Sequence, residues 1–139
     1  KQNLYVSLRV NRFRGTTITD GTEWGKDDGA EIRIQGQRPN GTKTMFTVRG
    51  FAGGALQCME DSKPANALQK QARFAGKISK TRWGASTGWK GEWQIPLAAL
   101  GITPKPGLTI PFNVRVYITE TSTARGWEAK LGKLTFSEK

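Results

Sequence analysis

The sequence predicts an all-β domain, an antiparallel β-sandwich of the jelly-roll or immunoglobulin-like kind. Four separate runs alternate apolar and polar residues with a period of two, which is typical of half-buried strands. The 17 glycines and 6 prolines supply many turns, and the chain offers little helical pattern. Because a chain of 139 residues buries about two-thirds of the surface that it exposes when unfolded, we predict one domain spanning residues 1–139.

The stretch from residue 88 to residue 117 contains the two clearest strands and the joint between them. In the first strand, one parity carries Trp89, Gly91, Trp93 and Ile95. Pro96 cannot donate to a ladder and ends this strand, and the following LAALG has room for one helical turn that Gly101 closes as a C-cap. The second strand alternates over residues 112–118. We expect the rest of the sheet to be built around this pair.

Earlier and later segments give further strands. The runs LYVSLRV at 4–10 and AEIRIQ at 30–35 alternate, and Asn40-Gly41 predicts a hairpin turn into a strand over 45–51. Residues 53–87 are less regular; a short helix over 64–73 is the prediction and an irregular crossing the alternative, followed by a strand over 74–78. GKLTF forms the closing strand. The predicted core comprises Val6, Leu8, Ile32, Ile34, Trp93, Ile95, Phe112, Val114 and Val116.

Composition excludes several kinds of site. The chain has no histidine, which rules out a Ser-His-Asp triad, a Cys-His pair and the usual catalytic zinc shells. Its single cysteine, Cys58, is expected to be a small buried hydrophobe. No segment approaches the ~20 apolar residues of a membrane-spanning helix.

The charge is strongly basic and unevenly distributed. The formal net charge is +11, which predicts an anionic partner or environment. Residues 62–91 contain no acid but seven basic residues, whereas residues 20–31 carry five acids and one lysine. We therefore predict that the preferred ligand is anionic.

Two tryptophans are candidates for ligand contact. Trp24 and Trp127 lie in polar, glycine-rich loops outside any apolar alternation, whereas Trp93 is in phase with the core and Trp89 and Trp83 are expected to be structural. The loop over 11–29 that contains Trp24 is long for a compact domain, and such loops often carry function. An exposed indole presents a flat apolar face to the C–H side of a sugar ring, as aromatic platforms do to nucleic-acid bases. Each indole has the alternative of simply folding over the sandwich edge.

Several motifs follow one another over nearly the whole chain: LYVSLRV, Trp24 leading into DDGAEIRI, MFTV, ARF, GWKGEWQIPLAALGI, PGLTIPFNVRV and a tryptophan shortly before LGKLTF. In this order they resemble the family 9 carbohydrate-binding modules and their relatives in the DOMON-like β-sandwich group. The resemblance implies a β-sandwich that holds a saccharide between two tryptophans, without catalytic activity and without a required cofactor. It further implies a polysaccharide or oligosaccharide ligand, a host catalytic domain as partner, and an extracellular or periplasmic location.

The resemblance also assigns residues. Trp24 matches the first clamp tryptophan, Glu31 a ligand-binding glutamate, and Trp127 the second clamp tryptophan. Where the family has an arginine and an asparagine on the MFTV strand, this chain has Thr47 and Arg49, so part of the hydrogen bonding to the sugar must differ. Family members carry further strands before LYVSLRV, so we expect either a minimal module excised from a larger protein or a sandwich completed from outside this sequence.

One polar strand face is a second candidate. Glu31, Arg33 and Arg49 share the polar parity of their strands, as do Arg9 and Arg115. If these strands are neighbours, four arginines surround one glutamate, a surface suited to carboxylate or sulfate groups. If they are not, the arginines form a solvated basic face.

Metal binding, hydrolysis and nucleic-acid binding complete the alternatives. Asp20, Asp27 and Asp28 are candidate calcium ligands, although their spacing is not that of an EF-hand and solvated acids are the alternative.

Glycoside hydrolysis needs a carboxylate pair, and no spacing marks one among Glu31, Glu92, Glu120 and Glu128. Charge and exposed aromatics leave a nucleic-acid-binding β-domain as an alternative, but the chain has no ribonucleoprotein or helix-turn-helix motif.

Overall fold

The computed structural model describes residues 2–12, 17–119, 123–126 and 131–137. One α-helix, α1 (Asn66–Gln71), and one 3-10 helix (Leu97–Leu100) interrupt a chain of strands. The strands are β1 (Asn3–Asn11), β2 (Gly29–Gln37), β3 (Lys43–Phe51), β4 (Leu56–Glu60), β5 (Lys63–Pro64), β6 (Arg73–Lys80), β7 (Ser86–Pro96), β8 (Thr109–Ile118), β9 (Thr123–Gly126) and β10 (Gly132–Thr135).

These strands form two antiparallel sheets. The small sheet has the order β1-β7-β6, and the large sheet has the order β10-β8-β2-β3-β4-β5. Strand β9 also pairs with β8, beside Arg115–Ile118, whereas β10 pairs with Thr109–Phe112 of the same strand. The fold is therefore the all-β sandwich that the alternating runs predict.

The core lies between the inner faces of the two sheets. Trp89 and Trp93 from β7 pack there with Ile32 and Ile34 from β2, and all four are almost completely buried. The sheets approach closely, because a Cβ atom on Gly50 of β3 would lie 2.4 Å from the ring of Phe74 on β6. Only glycine fits at this crossing.

The predicted core is mostly confirmed. Five of its members are buried: Ile32, Ile34, Trp93, Ile95 and Phe112. The other four, Val6, Leu8, Val114 and Val116, are half-buried and pack against the core. Val6 and Leu8 lie on an edge strand of the small sheet, and Val114 and Val116 lie on β8, two strands away from β3, which the small sheet contacts. The burial of the core side chains thus decreases toward β1 and β8.

One structural expectation is wrong. Strands β7 and β8 are not the central pair of one sheet, because β7 belongs to the small sheet and β8 to the large sheet. The connection between them starts with the 3-10 helix, which ends at Gly101 in the left-handed conformation (φ 66°), as its C-cap role requires. The chain uses this joint to cross from one sheet to the other.

The helix and the first hairpin follow the sequence closely. Helix α1 lies within the predicted 64–73 segment, with Leu68 and Ala72 buried. The Asn40-Gly41 turn connects β2 to β3, with φ of 86° at Gly41. Within the described ranges, no helix is long and apolar enough to cross a membrane.

Candidate functional site

Three charged side chains form one row across the outer face of the large sheet. Glu31 on β2 is the register partner of Arg49 on β3 and also of Arg115 on β8. Because neighbours in register point to the same side of a sheet, the three side chains lie together, opposite the face that carries Ile32. The predicted arginine–glutamate cluster therefore exists around Glu31.

Glu31 is the centre of this row. Its side chain is only 3% exposed, and each carboxylate oxygen accepts a hydrogen bond from one arginine: Oε2 from Nε of Arg49 and Oε1 from a terminal nitrogen of Arg115, both at 3.0 Å. Arg49 also donates to Oε1 of Gln57 on β4 at 3.2 Å. Paired charges of this kind hold guanidinium planes in fixed positions. Glu31 is thus an orienting residue for two arginines that remain partly exposed.

Trp24 covers one end of the row. The guanidinium carbon of Arg49 lies 4.7 Å from the centroid of the indole ring, a cation–π distance. The ring of Tyr117 on β8 lies 5.8 Å from the same indole, tilted by 50°. Trp24 is half-buried and not fully exposed, since these two neighbours hold it against the sheet.

A tight turn positions Trp24. The backbone nitrogens of Lys26 and Asp27 both donate to the carbonyl of Glu23, and Gly25 adopts a φ of 93°, which favours glycine. The hydroxyl group of Tyr117 donates to the carbonyl of Gly25 and fastens the turn to β8. The turn and the sheet therefore form one unit.

Asp28 anchors the base of this loop. It is fully buried, and its Oδ1 accepts a hydrogen bond from Arg12 at 2.7 Å in an ion pair whose side chains are 5% and 0% exposed. Its Oδ2 accepts from the backbone nitrogen of Thr19 at 3.0 Å. This carboxylate holds the 17–28 segment to the end of β1.

The three candidate calcium ligands are not brought together. Asp28 binds Arg12 and Thr19, and Asp27 accepts a hydrogen bond from the backbone of Glu23. Among the residues that the structure describes, no group of three or more potential ligands could hold a metal ion. Calcium binding stays a prediction.

Arg33 is an arginine of this surface that has no ion pair among the residues that the structure describes. It follows Glu31 by two positions on β2, so its side chain is on the same face, between Thr47 on β3 and Asn113 on β8. It is half-buried and forms no ion pair or side-chain hydrogen bond with any described residue. A partly desolvated guanidinium without a counter-ion is available to an anionic ligand group.

The remaining predicted site residues lie elsewhere. Trp127 falls outside the described residues. Arg9 is on the small sheet and takes no part in the Glu31 row, because β1 pairs with β7. Trp83 is 71% exposed in the turn between β6 and β7, so the prediction that it packs structurally is wrong. Glu92 is also on the small sheet, so it cannot face Glu31 across one sugar ring.

Two contributors were not predicted. The sequence placed Tyr117 only within the alternating run 112–118, yet Tyr117 is buried and its hydroxyl group is hydrogen-bonded to the turn that contains Trp24. Gln57 lies on β4, a strand that the sequence did not mark, and it supports Arg49. No local signal distinguishes Tyr117 from Tyr5, an aromatic residue on the polar face of β1 that is 69% exposed.

A groove of about 580 Å³ lies at the opposite end of the sandwich. Its lining includes Arg38, Phe46 and Leu68, and Arg38 is already paired with Asp61 at 2.9 Å. On the Trp24 surface, an aromatic ring contacts a row of polar groups that are held by hydrogen bonds.

Comparison with protein-family models gave no match, and comparisons with curated proteins and with solved structures gave none either. The order and pairing of the strands define the class of the fold as an all-β sandwich. The resemblance to family 9 carbohydrate-binding modules stays a prediction.

Proposed function

We propose that this protein is a non-catalytic carbohydrate-binding module whose sugar site is the outer face of the large sheet beside Trp24. The observation that carries the proposal is the contact series Trp24, Arg49, Glu31 and Arg115, which joins an aromatic ring to a fixed row of polar groups. A sugar ring needs both kinds of contact, because it has an apolar C–H face and a rim of hydroxyl groups.

The roles follow from the geometry. The indole of Trp24 stacks on the sugar from the side that Arg49 leaves uncovered. Arg49 and Arg115 donate hydrogen bonds to hydroxyl or ring oxygens with the nitrogens that Glu31 does not use, since a guanidinium has five N–H donors. Glu31 is a positioning residue, because both of its oxygens are already hydrogen-bonded to the arginines.

Trp127 serves as the second wall in this proposal. It follows Gly126 in the chain, and Gly126 is the register partner of Arg115 on β8. Trp127 itself lies outside the described residues, and its role as the second wall is what the resemblance to family 9 modules implies.

Arg33 gives the site its preference for acidic sugars. Its guanidinium, free among the described residues, lies next to the row and suits a carboxylate or sulfate group on a polysaccharide. The proposed ligand is accordingly an oligosaccharide or polysaccharide with acidic substituents, presented to a host catalytic domain in an extracellular or periplasmic setting.

A glycan array run at low and at high salt tests this function. We expect a defined set of glycans to bind the wild type at high salt, and these glycans to be lost from the Trp24→Ala variant, because stacking persists when charge attraction is screened over about 10 Å at 0.1 M salt. The Trp83→Ala variant is the matched control, since it removes an exposed indole from the other sheet. An array on which no glycan distinguishes the two variants would reject the proposal.

A further inference from the structure

Three basic side chains stand side by side across the outer face of the small sheet. Arg9 on β1 is the register partner of Lys90 on β7, and Lys90 is the register partner of Lys77 on β6. All three are exposed and point away from the core residues Val10 and Trp89. We call these three residues the basic row.

The like charges of the basic row destabilise the folded protein. Neighbouring strands are about 4.8 Å apart, so three positive charges lie within roughly 10 Å of one another. Like charges directly opposite on adjacent strands destabilise a sheet. Lys77 and Lys90 form no ion pair with any described residue, and Arg9 donates only to the neutral side chain of Asn11, at 3.1 Å. Glu92, in the next register of the same face, forms no ion pair with a described residue and offsets at most one of the three charges.

The surroundings of the basic row are also basic. Arg73 lies on the same face of β6, and Glu92, on β7 between Ser7 and Ala75, is the one acid on the three strands of this sheet. The acid-free part of the sequence, residues 62–91, contributes β6 and most of β7 to this face. Of the seven basic residues in 62–91, this face thus receives Arg73, Lys77 and Lys90, on the side of the sandwich that faces away from Trp24.

We propose that the basic row is a binding surface for an acidic polysaccharide, separate from the Trp24 site. The surface is the exposed face of a three-stranded sheet, and a linear chain with repeated sulfate or carboxylate groups can lie across it. Hydroxyl, amide and carboxylate side chains flank the row in the next registers, with Asn11 and Ser79 on one side and Ser7 and Glu92 on the other. They suit the hydroxyl groups that alternate with the acidic groups on such a chain.

The positions of the aromatic residues favour a polysaccharide over single-stranded nucleic acid. Nucleic-acid surfaces of this type place aromatic rings where successive bases stack. Here the exposed rings, Tyr5 and Trp83, lie at opposite ends of the small sheet, because Tyr5 pairs with Gln94 and Trp83 lies in the turn beyond Lys80. The basic row between them offers cations and hydrogen-bonding groups but no ring.

A matched pair of triple variants tests the basic row. The first variant carries Arg9→Gln, Lys77→Gln and Lys90→Gln. The control carries Lys43→Gln, Lys63→Gln and Lys105→Gln, three exposed lysines outside the small sheet, so both variants lose the same net charge. The probes are heparin and polygalacturonate, titrated at low and high salt.

We expect the row variant to bind both probes about fivefold to fiftyfold more weakly at low salt, which is the summed effect of three exposed ion pairs. We expect the control variant to change affinity less than about twofold, which is the effect of net charge at a distance on an exposed surface. The row variant should also melt at the same temperature as the wild type or higher, because it loses a like-charge repulsion. The double variant Lys77→Arg, Lys90→Arg should keep full binding.

Equal weakening by both triple variants would overturn the proposal, because it would show that net charge alone attracts the probes. Stronger binding of oligothymidylate than of either polysaccharide, lost in Trp83→Ala, would assign the surface to nucleic acid instead. Backbone NMR shifts separate this proposal from the function proposed above. Heparin should perturb the amides of β1, β6 and β7 in the Trp24→Ala variant as in the wild type, whereas the row variant should retain only the perturbations on β2, β3 and β8.

Discussion

Replacing Glu31 by glutamine would remove the negative charge that Arg49 and Arg115 share. Each arginine donates one hydrogen bond of 3.0 Å to this carboxylate, and a hydrogen bond to a charged group contributes about 1.5 to 3 kcal/mol. Glutamine keeps one accepting oxygen but turns an NH₂ group toward the other arginine, so one bond is lost outright. The side chains of Arg49 and Arg115 are 19% and 37% exposed, so water can replace part of the lost hydrogen bonding. This hydration reduces the loss of stability. We expect the free energy of unfolding to fall by about 2 kcal/mol.

Urea denaturation of the wild type and the variant measures this change. Glu23→Gln is the matched control, because Glu23 forms an ion pair with Lys26 in which both side chains are more than half exposed. The control should change the free energy of unfolding by less than about 0.5 kcal/mol. If Glu31→Gln is no more destabilising than Glu23→Gln, the buried row is not the structural unit that we describe.

Three further predictions concern the framework of the site and the core. Ser62→Gly should stabilise the protein by about 0.5 to 1 kcal/mol in urea denaturation, because Ser62 has a φ of 67° that glycine adopts without strain; an unchanged midpoint would contradict this. Burial raises the pKa of the Cys58 thiol to about 12, so the contribution of this group to stability is complete below its ordinary pKa of 9.0 and is lost as the pH rises through about 12. The free energy of unfolding should therefore fall by at most about 1.4 kcal/mol per pH unit in that window, and Cys58→Ala should flatten the slope. Asp28→Asn breaks the buried ion pair with Arg12 and should cost about 3 to 5 kcal/mol, equally in calcium and in EDTA; a wild type that itself loses stability in EDTA would point to a bound metal instead.

The strands that the sequence predicts well are those with one buried face. Alternation placed β1, β2, β7 and β8 because one parity of each strand packs in the sandwich, and the Asn40-Gly41 turn signal placed β3. The same pattern contains no information on which strands pair, and so the assignment of β7 and β8 to one sheet failed. Sheet order depends on contacts distant in sequence, which a local period cannot report.

The hairpin of β4 and β5 was missed for a local reason. Its two-residue turn, Asp61-Ser62, has positive φ at both positions (45° and 67°), a conformation for which Asn-Gly or Asp-Gly is the usual sequence. The backbone nitrogen of Met45 and the hydroxyl group of Thr44 donate to the Asp61 carboxylate and lower its pKa. Tertiary hydrogen bonds therefore stabilise a turn that the sequence Asp61-Ser62 alone does not predict.

For the candidate site, the sequence supplied the members but not their arrangement. Parity placed Glu31, Arg33 and Arg49 on polar faces, and loop composition singled out Trp24. The near-complete burial of Glu31 could not be predicted, because it depends on β3 and β8 lying on either side of β2. Arg33, by contrast, remains without an ion pair among the described residues, although it lies only two positions away.

The stacking of a sugar on Trp24 is the central claim, and calorimetric titration of the best array ligand into the wild type, Trp24→Ala and Trp24→Phe tests it most directly. We expect the alanine variant to lose about 1 to 3 kcal/mol of binding free energy, by analogy with base stacking, and the phenylalanine variant to recover part of it. Melting curves must show that all three proteins are folded. Unchanged affinity in a folded Trp24→Ala variant would contradict the claim and remove this surface as the sugar site.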